Sequence, residues 1–348
     1  MLEPSFVYLS ELIQSCDPDM GAPRFEPRPM KGGASTRRFF RVPWGKDKSA
    51  VAMFVPGQAT HEIHKDRPHV RWPFIEVRDL LAERGIRVPA ILADGTEQGW
   101  LVVEDLGDDT VANYLLRSPS EKRAIYQLAV RDLARAQRRL STLPDSSIVQ
   151  RRAFDHDLLR WEIEHFMEWG VLARDIRVSS DDRALFELIA ERLATKIAGW
   201  PRGFVHRDYQ SRNLMVVAAE VEPVTLAWID FQDALLGPRV YDLVALLSDS
   251  YQEFDRSFIE ERLDEYAAHM ELASTERAAL GREFDFVTVQ RKLKDAGRFV
   301  FIERTHHNPA FLPFVEPTIK KARAAIARLD DDADMRELGA LLDRLLGP

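Results

Sequence analysis

The residues with the clearest chemical potential lie in the segment HRDYQSRN at residues 206–213 and in the segment IDF at residues 229–231. Phosphoryl transfer to an alcohol needs a carboxylate beside the accepting hydroxyl, because the alcohol loses its proton as the γ-phosphoryl group arrives. Asp208 suits this role as a general base. Transfer also needs a divalent metal that bridges the phosphates, and the Asn213 amide and the Asp230 carboxylate are oxygen ligands of the type that Mg²⁺ prefers.

The order and spacing of these residues carry the prediction, because none of them is distinctive alone. HRD is a common tripeptide, Asn213 is a typical turn residue and Asp230 is an ordinary charge at a strand end. The apolar runs LMVV at 214–217 and LAWI at 226–229 follow the polar segment and predict short strands. The pattern H-R-D-x-x-x-x-N, followed by D-F and set among strands, is typical of kinases. The sequence therefore predicts a kinase catalytic loop.

The elements that would position this loop are rich in strands before residue 105 and helical after it. Apolar residues at helical spacing predict an amphipathic helix within residues 1–18 and a second helix at Trp72–Arg84 that ends at Gly85. A third helix is predicted from Ser118 to about Leu140, and helices dominate the rest of the chain. Runs of β-branched and aromatic residues predict strands at Arg38–Val42, Ala50–Val55 and Trp100–Val103.

After the catalytic loop the chain continues DFQDALLGPRVYDL at residues 230–243 and enters an apolar helix. Together with the loop, this arrangement resembles the aminoglycoside phosphotransferase-like kinases, and the resemblance covers nearly the whole chain. It implies an α+β, two-lobed protein-kinase-like fold, with a small β-rich nucleotide-binding lobe at 1–105 and a larger helical lobe at 106–348. It also implies ATP and Mg²⁺ as cofactors, with His206 and Asp242 supporting the catalytic loop. Asp242 also suits a helix cap, and both roles are compatible.

Four stretches resemble a narrower group, the bacterial cell-wall amino-sugar kinases. They are HRDYQSRNLM from His206, IDFQDALLGPRVYDL from Ile229, FDHDLLRWEIEHFMEWG from Phe154 and VQRKLKDAG from Val289. Kinases of this group phosphorylate the anomeric hydroxyl of N-acetylmuramate and N-acetylglucosamine. The resemblance therefore implies a small-molecule acceptor that is an amino sugar, and a place in peptidoglycan recycling.

Two segments are predicted to contact the nucleotide. Residues 31–36 read KGGAST and precede a strand, so that their backbone N–H groups can surround phosphates. Residues 104–108 read EDLGD, where the resemblance implies a connection between the lobes that binds adenine through backbone atoms. Either segment alone also reads as an ordinary turn. The residues assigned to the nucleotide are Gly32, Gly33, Ser35, Thr36, Arg37, Glu104 and Leu106.

The second predicted strand departs from the usual kinase pattern. Kinases generally carry a lysine there that contacts the α- and β-phosphates and pairs with a glutamate on the next helix. Here the strand reads AVAMFV, and Met53 stands near that position with a thioether that cannot neutralise phosphate charge. Glu76 then lacks its expected partner. Another cation is predicted to substitute, and the candidates are Arg37, Arg38, Lys31 and Lys65.

The acceptor pocket is predicted beside the catalytic loop and the late helices. Residues 289–307 carry an excess of basic side chains, which suits an anionic acceptor such as a sugar with a lactyl carboxylate, although a solvated helix face is an equal alternative. A polycationic antibiotic would prefer an acidic pocket. The residues predicted to line the pocket are Gln210, Arg212, Gln232 and Arg291.

Composition limits the remaining classes of function. A formal net charge of −8 argues against a nucleic-acid partner, and no apolar run predicts a membrane span. Cys16 is the single cysteine, which excludes an internal disulfide and a cysteine-based zinc site. A cytoplasmic location is predicted from the single cysteine and the lack of a signal-peptide pattern.

Several alternatives stay open from the sequence. The same chemistry suits an aminoglycoside, choline or another alcohol as acceptor, while Met53 leaves room for a nucleotide-binding pseudokinase that acts through partner contacts. A protein kinase is disfavoured, because residues 230–243 leave no space for a long activation segment or an A-P-E motif. The choice between ATP and GTP, the number of metals and the oligomeric state are likewise open.

Overall fold

The computed structural model describes residues 3–16, 26–30, 37–56, 71–217 and 224–347. The helices are α1 Phe6–Cys16, α2 Pro73–Glu83, α3 Val111–Arg117, α4 Lys122–Arg139, α5 His156–His165, α6 Ser180–Ala198, α7 Tyr241–Leu247, α8 Arg256–His269, α9 Ser274–His306, α10 Val315–Arg328 and α11 Ala333–Leu346. The strands are β1 Arg28–Pro29, β2 Arg38–Trp44, β3 Lys48–Phe54, β4 Ile91–Gly95, β5 Trp100–Glu104, β6 Arg202–Val205, β7 Leu214–Val217, β8 Thr225–Trp228 and β9 Leu235–Pro238.

The first part of the chain forms an antiparallel sheet in the order β1-β2-β3-β5-β4. Side chains alternate between the two faces of a strand. Both faces of this sheet are apolar, so each must pack against another element. On one face Phe54 and Trp100 pack with Leu9 and Ile13 of α1. On the other face the strands pack against Ile75 of α2. The two helices therefore complete the cores of this small β-rich unit.

A network of ion pairs fixes the segment that follows β5. Arg41 Nε donates to Asp105 at 2.6 Å and Nη2 donates to Asp108 at 2.8 Å, so that β2 is tied to the connection. Arg87, which lies between α2 and β4, donates to both carboxylate oxygens of Glu104, the last residue of β5. Hydrogen bonds in which both partners are charged are stronger than neutral ones. They give the predicted nucleotide-binding connection a defined conformation.

The second part is helical, with two small antiparallel sheets, β6-β9 and β7-β8, that frame the polar loop. The long helix α9 runs through this part and packs on α5, α10 and the π-helical segment Phe166–Val171. Gly297 permits the close approach, because a Cβ there would lie 2.5 Å from the His165 carbonyl oxygen. The crossing places α5 and α9 beside the loop that they must support.

The predicted α+β, two-lobed architecture is confirmed, with corrections at element ends. The helix predicted from Ser118 begins at Lys122, after a 3₁₀ turn at Pro119–Glu121. Strands β4 and β9 were not predicted, because ILADG and LLGP are short and contain Gly or Pro. Across the described residues, no helix is long and apolar enough to cross a bilayer.

Candidate active site

A buried carboxylate holds the start of the polar loop, which leaves β6 at Val205. Asp242 accepts hydrogen bonds from the backbone N–H of His206 at 2.7 Å and of Arg207 at 3.0 Å. Asp242 lies in the first turn of α7, so its carboxylate bonds the loop while its charge faces the positive helix end. Burial raises the pKa of Asp242 to about 7, although the two backbone bonds oppose the rise.

The buried His206 ring connects two parts of the site. Nε2 donates to the Ile229 carbonyl oxygen at 3.1 Å, and Nδ1 accepts from the Asp208 backbone N–H at 3.3 Å. This pattern requires a neutral imidazole with its proton on Nε2. Burial lowers the pKa of His206 to about 4, which keeps the ring neutral near pH 7. His206 therefore fixes the loop against the strand end that precedes Asp230.

Arg207 turns the chain at a backbone φ of 80°, a conformation that residues other than glycine rarely adopt. Its guanidinium Nη2 donates to Glu162 Oε1 of α5 at 3.0 Å. Glu162 is fully buried, and its other oxygen accepts a hydrogen bond from Gln290 of α9 at 2.9 Å. Burial favours the neutral form of Glu162, but the Lys294 and Arg207 charges outweigh it and hold the pKa of the carboxyl below its usual value. The loop is thereby anchored to two helices.

The Asp208 carboxylate is oriented by a buried arginine. Arg291 of α9 donates from Nη2 to Asp208 Oδ1 at 3.1 Å and from Nη1 to the Arg207 carbonyl oxygen at 2.6 Å. The Arg291 side chain is 3% exposed, whereas that of Asp208 is 37% exposed. Burial opposes ionisation of Asp208, but the nearby positive charges of Arg291 and Lys294 prevail and lower its pKa. Asp208 is therefore an ionised carboxylate that remains partly exposed to solvent.

Asn213 and Asp230 present oxygen atoms that could bind a metal, and they are brought together by a hydrogen bond from the Ile229 backbone N–H to the Asn213 carbonyl oxygen at 3.0 Å. The Asn213 Nδ2 donates to the Asp208 carbonyl oxygen at 2.9 Å, which leaves Oδ1 as the acceptor of that amide. Asp230 has a φ of 62° and accepts from Gln232 Nε2 at 3.0 Å. Desolvation and the like charge of Asp208 raise the pKa of Asp230. The carboxylates of Asp208 and Asp230 repel each other, and the Asn213 Oδ1 atom adds a third oxygen. Such a set of oxygen atoms fits a divalent cation such as Mg²⁺.

The predicted nucleotide side is described only in part. Gly32, Gly33, Ser35 and Thr36, together with Lys31 and Lys65, lie outside the described residues. Glu104 and Leu106 are half-buried in the connection after β5, and the Glu104 side chain is held by Arg87. The Glu104 backbone N–H donates to the Ala90 carbonyl oxygen at 2.8 Å, so a nucleobase would have to use other backbone groups of this connection.

Arg37 carries the described cation nearest to the proposed metal ligand. Its Nη1 lies 3.9 Å from Asp230 Oδ1, and its side chain is 10% exposed. Met53 is buried in the apolar cluster that also contains Ile75 of α2, as expected for a side chain that contacts no phosphate. Within the described part of the chain, no ion pair joins Glu76 to a basic residue.

The four predicted acceptor residues fall into two groups. Gln232 and Arg291 are buried. Gln232 donates a hydrogen bond to Asp230 and Arg291 donates one to Asp208, so they position site carboxylates rather than line an open pocket. Gln210 is half-buried in the loop, and Arg212 is exposed, with its guanidinium 3.4 Å from the centre of the Tyr251 ring. Of this set, Arg212 and Gln210 are the residues available to a ligand.

Sequence reasoning missed the residues that hold the loop from a distance. Glu162, which anchors Arg207, and Asp249, which accepts hydrogen bonds from the Ser211 backbone N–H and hydroxyl, are separated from the loop by tens of residues. No local pattern distinguishes them: the stretch LLRWEIEHF around Glu162, for example, contains other charged residues as well.

Comparisons with known proteins show the family of this chain. The family model described as the phosphotransferase enzyme family matches residues 26–280, and this chain belongs to that family. A protein from Pseudomonas aeruginosa called N-acetylmuramate/N-acetylglucosamine kinase is 32% identical to this chain. The alignment spans 97% of this chain and 96% of that protein. A protein of the same name from Neisseria meningitidis serogroup B is 30% identical, with 90% of this chain covering 89% of it.

Solved structures show the same fold at low sequence identity. Choline kinase from Cryptosporidium parvum superimposes with a TM-score of 0.63 and 11% identity, covering 97% of this chain and 99% of its own. The GDP complex of aminoglycoside 2'-phosphotransferase-IIIa gives a TM-score of 0.60 and 14% identity, covering 93% and 99%. These likenesses confirm the predicted protein-kinase-like fold.

Proposed function

We propose that this chain is a Mg-ATP-dependent kinase that phosphorylates the anomeric hydroxyl of an N-acetylated amino sugar, N-acetylmuramate or N-acetylglucosamine. The observation that carries the chemistry is the ionised, partly exposed Asp208, held by Arg291 beside the oxygen donors of Asn213 and Asp230. The amino-sugar acceptor rests on the names of relatives that are about 30% identical over most of the chain. The location that we propose is the cytoplasm, where both ATP and a recycled sugar are available.

In this proposal Asp208 accepts the proton of the acceptor hydroxyl as that oxygen attacks the γ-phosphorus of ATP, and ADP leaves with the broken bond's electrons. Arg291 keeps Asp208 ionised and directed towards the cleft. Asn213 and Asp230 would hold Mg²⁺, which when bound neutralises phosphate charge. His206 and Asp242 hold the loop backbone, Glu162 holds the Arg207 side chain, and none of the three would contact a reactant.

The nucleotide-binding lobe is proposed at residues 1–105 and the acceptor lobe at 106–348. ATP would lie between them, with its base against the backbone of Glu104 and Leu106 and its phosphates against the loop that carries Gly32, Gly33, Ser35 and Thr36. Arg37 would supply the positive charge that Met53 does not, since its guanidinium lies 3.9 Å from Asp230 and its side chain is largely buried. Arg37 is therefore the residue to test.

Replacing Arg37 by Ala is expected to raise the apparent KM for ATP by roughly 10- to 100-fold, because a charge-assisted contact to phosphate is lost. Initial rates at saturating acceptor and varied Mg-ATP measure the effect. Arg38→Ala is the matched control, because Arg38 directly follows Arg37 and begins β2, is 53% exposed and pairs with Glu3. An unchanged KM for ATP in Arg37→Ala would contradict this assignment and indicate that Lys31 or Lys65 contacts the phosphates instead.

Replacing Arg291 by Met is expected to lower kcat/KM by about 100-fold, because a displaced base no longer meets the hydroxyl. Arg291 lowers the pKa of Asp208, so its removal raises that pKa. The base works when deprotonated, and the acidic limb of the pH–rate profile therefore moves to higher pH.

The shift of the acidic limb separates positioning from general loss of structure. Arg256→Met is the control, because Arg256 also pairs with a carboxylate of α9, Asp285, but does not contact the catalytic loop. It is expected to leave the position of the limb unaltered. A limb that stays in place in Arg291→Met would contradict the assignment of Asp208 as the base whose charge Arg291 controls.

Two other functions keep the same fold. An aminoglycoside, choline or other alcohol kinase would use the same loop with another acceptor, and a pseudokinase would bind nucleotide without turnover. Coupled ADP release with Mg-ATP, measured across N-acetylmuramate, N-acetylglucosamine, glucose, kanamycin and choline, distinguishes them. We expect turnover with the two amino sugars. Turnover only with another acceptor supports the first alternative, and nucleotide binding without any turnover supports the second.

A further inference from the structure

Arg212 presents a guanidinium that is fixed in orientation but not paired with an acid. Its guanidinium carbon lies 3.4 Å from the centre of the Tyr251 ring and 5.9 Å from that of Phe314. A planar guanidinium stacked on an aromatic face keeps its N–H donors at the edge, where they can reach a ligand. Among the described residues, none forms a hydrogen bond or ion pair with the Arg212 side chain, which is exposed.

The same carboxylate fixes both partners of this stack. Asp249 Oδ2 accepts hydrogen bonds from the Ser211 hydroxyl at 2.5 Å and from the Ser211 backbone N–H at 3.2 Å. Asp249 Oδ1 accepts from the Tyr251 backbone N–H at 3.0 Å. The residue before Arg212 and the ring beneath it are therefore positioned together. Asp249 thus holds Arg212 and the Tyr251 ring in place before any ligand binds, which is the arrangement of a preorganised binding group.

The other basic side chains near the base are already committed. Arg291 is bound to Asp208 and to the loop backbone. Lys292 donates to Asp295 Oδ2 at 2.8 Å, and Lys294 lies 2.8 Å from Asp295 Oδ1, so that one carboxylate holds both amines. Three residues of the basic excess in 289–307, Arg291, Lys292 and Lys294, thus support the site internally. Arg212 differs from these three, because among the described residues it has no acidic partner and its guanidinium stays open to an anionic ligand.

The stack lies beside the reacting centre. Arg212 follows Asp208 in the same loop, whose backbone is closed by hydrogen bonds from Gln210 N–H to the Asp208 carbonyl oxygen at 2.9 Å and from Asn213 N–H to the Gln210 carbonyl oxygen at 2.8 Å. The charges of both Arg212 and Asp208 act on the Tyr251 hydroxyl. A ligand whose hydroxyl meets Asp208 can therefore place another of its groups at Arg212.

We propose that Arg212 binds a carboxylate of the acceptor sugar and gives the enzyme its preference for the carboxylated amino sugar over the neutral one. The inference rests on the proposed function. N-acetylmuramate and N-acetylglucosamine share the anomeric hydroxyl and the acetamido group, but only the former has a carboxylate, on its lactyl ether. A guanidinium matches a carboxylate by forming two parallel N–H···O bonds, and it gains nothing comparable from a neutral hydroxyl.

The test compares the two sugars in one variant. The ratio of kcat/KM for N-acetylmuramate to that for N-acetylglucosamine is measured at saturating Mg-ATP in the wild type, Arg212→Gln and Arg212→Lys. Loss of a charged hydrogen bond should lower the ratio about 10- to 100-fold in Arg212→Gln. Arg212→Lys should lower it by a smaller factor, because it retains the charge but not the planar fork. Arg131→Gln, an exposed arginine of α4, is the control and should keep the wild-type ratio.

The outcomes separate this inference from the function beneath it. A wild type that phosphorylates both sugars, with an unchanged ratio in Arg212→Gln, overturns the inference and leaves the function intact. An equal loss on both sugars together with a raised KM for ATP also overturns it, because Arg212 would then contact the phosphates. Failure of the wild type to phosphorylate either sugar overturns the proposed function and the inference together.

Discussion

Replacing Asp208 by Asn is expected to lower kcat by about 10²–10⁴-fold, the range that a general base contributes. The amide has nearly the shape of the carboxylate, and its oxygen can still accept the hydrogen bond that Arg291 donates at 3.1 Å. The substitution therefore removes the proton acceptor while the loop keeps its support. Coupled ADP release at saturating ATP and N-acetylmuramate measures the loss.

Nucleotide binding distinguishes lost chemistry from lost structure in Asp208→Asn. The dissociation constant for Mg-ATP, measured by titration calorimetry, is expected to stay within about threefold of the wild-type value, because in the proposed reaction Asp208 would contact the acceptor and not the nucleotide. A variant that binds ATP normally and turns over at more than a tenth of the wild-type rate would contradict the assignment of Asp208 as the base.

Replacing Asp230 by Asn is expected to lower kcat by about 10²–10⁴-fold, because a metal ion contributes several kcal/mol of charge stabilisation. Asn is chosen because it tolerates a positive φ, and Asp230 has a φ of 62°. The amide retains one oxygen donor but loses the charge. Higher Mg²⁺ concentrations should therefore restore part of the rate in Asp230→Asn and none in Asp208→Asn.

Asp175 provides the matched control for Asp230. It also has a positive φ, 60°, and it lies on the surface after the π-helical segment. Asp175→Asn is expected to keep the wild-type rate and the wild-type dependence on Mg²⁺. If Asp230→Asn behaved like this control, Asp230 would have no role as a metal ligand, and the site would need another acid.

The elements that repeat a simple period could be predicted from the sequence. Runs of β-branched and aromatic residues placed β3 and β5 within two residues of their observed bounds, and helical spacing placed α2 within one. Strands β4 and β9 escaped because pairing across the sheet, rather than local propensity, makes their short segments extended. The two-lobed architecture was predicted from the resemblance to kinases, because the periodicity of apolar residues indicates single elements and not how they assemble.

The candidate site divides in the same way. Asp208, Asn213 and Asp230 were predicted because their order along the chain is itself a signal. Arg291 was predicted to line the acceptor pocket, yet it lies buried against Asp208, because only the packing of α9 determines which way that residue points. The link from Asp249 to Ser211 and Tyr251 depends on the return of the chain after α7. Such contacts between distant residues have no local pattern.

The measurement that tests the central claim most directly is the structure of the product. Wild-type protein would be incubated with Mg-ATP and N-acetylmuramate, and the product would be examined by ³¹P and ¹H nuclear magnetic resonance. Transfer to the anomeric oxygen predicts a phosphate signal whose three-bond coupling is to the anomeric proton, formed in step with ADP. Phosphate on another hydroxyl would contradict the proposed reaction, and ADP without any phosphorylated sugar would contradict kinase activity towards this acceptor.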